Sequence, residues 1–176
     1  MPFIIAALGI ALTVYFFVVR ARNAGHMAGE LVDMASDVKA AARRFGFKRR
    51  TNVHPVDTIE DPRLAIGAIA TAFLEMDDLP TKNQRDALHR SLRQQFDLDA
   101  EAAQEITVLG HWFVSECGGA QPAIDRLSRK LVKLQGRDAF EPLLHVVNAM
   151  LSAGSDGLND TQRQALDDVK RNFRIT

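Results

Sequence analysis

The chain has 176 residues, enough for one domain with appendages, and its formal net charge is zero. That zero hides a polarity: residues 1–50 hold eight Lys/Arg and three Asp/Glu, a balance of +5, and residues 51–176 hold fourteen and nineteen, a balance of −5. An acidic body lacks the basic face that phosphate contact requires, so nucleic acid is excluded as an expected partner. Scarce β-branched runs, few aromatics and abundant Ala and Leu predict an all-α fold.

Phe3 to Val19 reads FIIAALGIALTVYFFVV, without a charge. At 1.5 Å per residue the run covers roughly 25 Å, slightly short of a ~30 Å hydrocarbon core. Met1 and Pro2 extend it, and Arg20 can reach outward to the interface. A secretory signal would carry a basic start and end at small residues; here no Lys or Arg precedes the run, and Arg20-Ala21-Arg22 follows it. A buried core helix fits poorly at the extreme N-terminus. Residues 1–22 are therefore expected to be a single-pass transmembrane anchor in the lipid bilayer. Every nearby base lies C-terminal to the span, which predicts the N-terminus outside and the C-terminal domain in the cytoplasm, at a bacterial inner membrane.

Residues 23–50 are expected to form a juxtamembrane amphipathic helix and a basic collar. Met27, Leu31, Met34, Val38, Ala41 or Ala42, and Phe45 recur at steps of three and four. Glu30, Asp33 and Asp37 come early and the bases late, which suits the helix dipole. Such a stripe can pack on the domain, pair with a partner helix or lie on the membrane, and the acidic start favours packing on protein. The collar RRFGFKRR differs: Arg43, Arg44, Lys48, Arg49 and Arg50, with Phe45 and Phe47 between them, suit contact with an anionic membrane surface, the alternative being a solvated basic linker. Residues 51–58, TNVHPVDT, read as a linker, because Pro55 disfavours helix at His54 and no apolar period runs through them.

From Ile59 the pattern is helix after helix. Asp61 is the expected cap and Pro62 the first turn of an Ala-rich helix that is apolar nearly all round, hence central. Thr81 begins the next, with Leu88, Leu92 and Phe96 on one face. Asp99 caps a third, which Gly118-Gly119 ends. Ile124, Leu127, Leu131 and Leu134 are in phase on a fourth, broken at Gly136. A fifth, heavily apolar, runs to Gly154, and Asp160 is expected to cap the last. Nothing reads as a strand at hairpin spacing. The single cysteine, Cys117, excludes an intrachain disulfide and reads as a small buried apolar residue rather than a nucleophile. No histidine has ligand spacing, no catalytic constellation or small-molecule substrate site is evident, and the chain is not expected to be an enzyme.

One phrase occurs twice. Gln84-Arg85-Asp86-Ala87-Leu88 matches Gln162-Arg163-Gln164-Ala165-Leu166, each after an acidic turn, MDDLP and SDGLN. The second loop is one residue shorter. The echo predicts two related helical hairpins in one bundle of about six helices, with Leu88 and Leu166 buried at corresponding places and Gln84 and Gln162 on the polar side.

Across residues 59–176 this arrangement resembles the TerB-like domain, named for tellurite resistance and also found in membrane-anchored J-domain co-chaperones of the DjlA type. There an Ala-rich helix leads into A-D-G-x-I-x-x-x-E-x-x-x-L, and a similar acidic turn recurs late in the domain. Here Asp77 stands at the Asp, Asp78 replaces the Gly and Gln84 the Glu; later, Asp156 and Gly157 match Asp-Gly, and Gln162 stands near the Glu. The resemblance implies a TerB-like bundle acting as an interaction or scaffold module, an accessory subunit of an inner-membrane complex with a membrane or cytoplasmic protein partner and no cofactor. It also implies an alternative: a divalent-metal or tellurite-stress sensor whose paired turns, through Asp77, Asp78, Asp156 and Asp160, with Glu75 close by, collect a cation such as calcium. The neutral amides at both Glu positions weaken that site for a hard cation. His54-Pro55-Val56 in a linker is not the His-Pro-Asp loop of a J-domain, so co-chaperone activity by that route is not expected.

Overall fold

The computed structural model describes residues 43–45, 52–77, 79–154 and 157–175. The expected transmembrane run, most of the juxtamembrane helix, and Asp78, Asp156, Lys48, Arg49 and Arg50 lie outside the described residues. Among those described, all regular structure is helical: no strand occurs, and no helix is long and apolar enough to cross a membrane. The elements are a 3-10 turn η1 (Pro55–Thr58), α1 (Pro62–Glu75), α2 (Lys82–Phe96), α3 (Ala100–Glu116), α4 (Ala120–Gln135), a 3-10 turn η2 (Gly136–Ala139), α5 (Phe140–Leu151) and α6 (Asp160–Phe173).

Helix α1 is the axis of the fold. Every residue from Leu64 to Leu74 is buried, and the helix packs on α2, α3, α4 and α5. Its start follows from chemistry: the Asp61 carboxylate accepts the Arg63 N–H at 2.8 Å, and Pro62 occupies the first turn, where a missing N–H costs nothing. Helix α3 crosses it closely because two glycines remove side chains at the crossing. A Cβ at Gly67 would stand 2.0 Å from Ile106 Cγ2, and one at Gly110 would stand 2.6 Å from Thr71 Oγ1. Asp99 caps α3 through the Ala102 N–H at 2.6 Å, as its position before the helix predicts.

Two expectations change at this level. The stretch read as a linker folds into η1, packs on α3 and α4, and delivers Val56 to the core with no exposed surface; Ile59 follows it. Pro55 there starts a 3-10 turn, with His54 Nδ1 accepting the Val56 N–H at 3.3 Å. The second difference is at α6. Asn159, not Asp160, is its cap: the Asn159 side chain accepts the Gln162 N–H at 2.8 Å, while Asp160 is the first helical residue and points into solvent.

Candidate functional site

The two acidic turns meet. Asp77 ends the α1 turn, and its Oδ1 accepts the Leu79 N–H at 3.2 Å. Its Oδ2 accepts the Gln84 Nε2–H at 2.9 Å. Gln84 also closes a reciprocal cap at the start of α2. Its Oε1 accepts the Thr81 N–H at 2.7 Å and the Thr81 hydroxyl at 2.9 Å, while Thr81 Oγ1 accepts the Gln84 N–H. At the start of α6 the same device recurs, with Gln162 Oε1 accepting the Asn159 N–H at 3.1 Å. Both pairs have the Thr/Asn-x-x-Gln spacing of a capping box, so this signal was present in the sequence apart from the Asp positions.

The two boxes are cross-connected. The last carbonyls of α1 have no partner further along the helix. Gln162 Nε2 donates to the Phe73 carbonyl at 3.1 Å, and Asn159 Nδ2 donates to the Met76 carbonyl at 3.1 Å. In the other direction Gln84 lies over the second turn: a Cβ at Gly154 would stand 2.8 Å from Gln84 Nε2. Each glutamine thus reaches the turn of the opposite copy. The expectation that Gln84 and Gln162 face solvent is overturned, since they are 4% and 2% exposed. Their amides supply the donors and acceptors that two turns need when they meet away from water.

Past the first helical turn the copies diverge. Helix α2 runs along α5, whereas α6 runs along α4, tied by Gln121 to Asp168 and Asn172 to Ser128. Leu88 is fully buried but Leu166 is only half-buried; the buried face of α6 is Ala165, Val169 and Phe173, the last stacked obliquely on Phe140 at 5.4 Å. The hairpins correspond in their caps and not in their packing.

Of the candidate metal ligands, Asp77 lies at this joint with both oxygens accepting N–H groups. Asp160 is 99% exposed and pairs with Arg163 at 2.9 Å. Asp78 and Asp156 lie outside the described residues. Glu75 turns to His111, whose Nδ1 lies 2.5 Å from its Oε1. Among the described residues no group of three or more His, Cys, Asp or Glu is arranged to hold a metal ion. Cys117 is half-buried at the end of α3, where burial pushes its thiol pKa upward.

Two residues of the basic collar, Arg43 and Arg44, are described. Arg43 is exposed. Arg44 pairs with three carboxylates at the start of α3: Glu105 at 2.8 Å, Glu101 at 2.9 Å and Asp99 at 3.3 Å. Phe45 is 7% exposed and belongs to the core. The hydrogen bond from the Ala102 N–H, with Arg44 adding to it, holds the Asp99 carboxyl below its ordinary range; burial raises that of Glu105 against the pull of Arg44. A depression of about 430 Å³ bordered by Arg90, Arg93, Gln94, Asp97 and Leu98 contains none of the residues named as candidates. Comparison of the chain with protein-family models, with curated proteins and with solved structures finds no match.

Proposed function

We propose that the chain is a membrane-anchored TerB-like interaction or scaffold module facing the cytoplasm, an accessory subunit of an inner-membrane protein complex. The observation that carries this reading is the joint between the two turns. Where the resemblance implies a ligand carboxylate, Gln84 presents an N–H donor to Asp77, and the other oxygen of Asp77 takes the Leu79 N–H. A cation would have to displace both donors, so the joint is satisfied as a structural clasp without a ligand. Next to it the Leu79 side chain is 83% exposed.

Purification of the full chain from mild detergent, with identification of what accompanies it, tests this reading. A membrane protein retained in stoichiometric amount is the expected result. The alternative, a metal or tellurite-stress sensor, makes a different prediction in the same preparation. Calcium titration by calorimetry should give no binding tighter than about the millimolar range of weak, rigid-site-free coordination. Micromolar affinity that disappears in Asp77→Asn, with no retained partner, would replace the scaffold with the sensor.

A further inference from the structure

We propose that Arg44 and Phe45 form a strap that seats the N-terminal end of the bundle on the start of α3, and that the strap opens without unfolding the bundle. The inference does not depend on the proposed function. It starts from two unlike contacts made by adjacent residues. The Arg44 guanidinium spreads its three nitrogens over three separate side chains: Nε to Glu105, Nη2 to Glu101 and Nη1 to Asp99. Phe45 goes the other way, into the apolar cluster that includes Val56, Ile59 and the buried faces of α1 to α6.

The carboxylates are not equal. Glu101 and Asp99 are 74% and 66% exposed, while Glu105 is 15% exposed. Exposed pairs are weak and screened by salt. Glu105 is different: it is mostly covered, with Arg44 Nε against it at 2.8 Å and two like charges beside it. Among the described residues the three acids share the Arg44 guanidinium. Helix α1 is covered by α2, α3, α4 and α5, none of which includes Arg44 or Phe45. This is the arrangement of a local opening: one aromatic side chain and a screened charge cluster at the margin of a unit whose interior packs independently. In the seated state the Arg44 guanidinium is engaged by carboxylates although the residue stays exposed, and Arg43 is exposed beside it.

Chymotrypsin cleavage after Phe45, in the full chain in neutral detergent, reads the opening directly, since cleavage follows the population of the open form. The wild-type chain is expected to be cut slowly there at low salt. Arg44→Glu, which puts a fourth carboxylate into the cluster, is expected to speed that cut by about tenfold or more, with the thermal midpoint of the bundle nearly unchanged. Adding Glu105→Arg to Arg44→Glu, which returns a base opposite position 44 at the least exposed of the three acids, is expected to restore protection, which a merely destabilised fold would not do. Equal cleavage rates in wild type and Arg44→Glu overturn the strap. So does a fall in thermal midpoint large enough that cleavage tracks global unfolding, or failure of the charge swap to protect Phe45.

Discussion

Gln84 and Gln162 are the residues on which the sequence and the structure part furthest. Placed by helical phase alone they belong on a polar surface; placed by their partners they are buried connectors. Each satisfies a backbone N–H of its own cap; Gln84 also donates within its own turn, to Asp77, and Gln162 donates across the joint, to the Phe73 carbonyl. Truncation leaves these groups unpaired out of water, at about 1–3 kcal/mol for each buried group abandoned. Gln84→Ala and Gln162→Ala are accordingly expected to lower the thermal midpoint by several degrees each, measured by circular dichroism; melting within a degree of wild type would mean that water replaces the amides. A second residue-scale expectation concerns His89. Burial depresses its pKa, Asp86 opposes this and His111 adds to it. The unfolded imidazole titrates near about 6.5, so the unfolded chain binds the proton more tightly. The contribution of His89 is therefore fully present above that value and is lost as pH falls through the lower folded value. Thermal midpoints should decline across that interval, and His89→Gln should flatten the decline; an unchanged slope in the variant would place its origin elsewhere.

Helices were the legible level. Capping by Asp61, Thr81 and Asp99, the breaks at Gly118-Gly119 and Gly136, and the all-round burial of α1 all follow from residue type and spacing, and all appear in the structure. What spacing could not supply was the partner of each face. The repeated Gln-Arg-x-Ala-Leu phrase was read as two equivalent hairpins, because equal local sequence gives equal local structure: the two capping boxes. Tertiary contacts then act on each copy separately. Helix α2 meets α5 and buries Leu88 and Leu92, while α6 meets α4 and turns Val169 and Phe173 inward, leaving Leu166 only partly buried at the margin of the core. The cost of truncation should follow this difference. Leu88→Ala is expected to cost about 2–5 kcal/mol, as a fully buried leucine does, and Leu166→Ala markedly less. Equal costs in denaturant titration of the two variants would restore the symmetric hairpins. The segment at 51–58 shows the same limit from the other side: a stretch without helical period still places Val56 in the core, since a single turn needs no period.

At the scale of the whole molecule, charge polarity and apolar length set the expected arrangement in the membrane. Seventeen uncharged residues from Phe3 to Val19 precede every basic side chain of the first fifty residues. Moving Arg20, Arg22 and the collar across the bilayer would cost far more than moving a tip without charged side chains, so the tip is expected to cross and the bundle to stay behind. This leads to a topology that can be read by protease. With the bundle in the cytoplasm, protease added to intact spheroplasts should leave residues 52–175 uncut, and the same protease after lysis should cut first where the chain is exposed, at the Asp77–Leu79 turn, whose Leu79 is 83% exposed. The lysed sample is the control that makes protection meaningful, because a tightly folded bundle resists cleavage on either side of a membrane. Cleavage at that turn in unlysed spheroplasts would put the bundle outside.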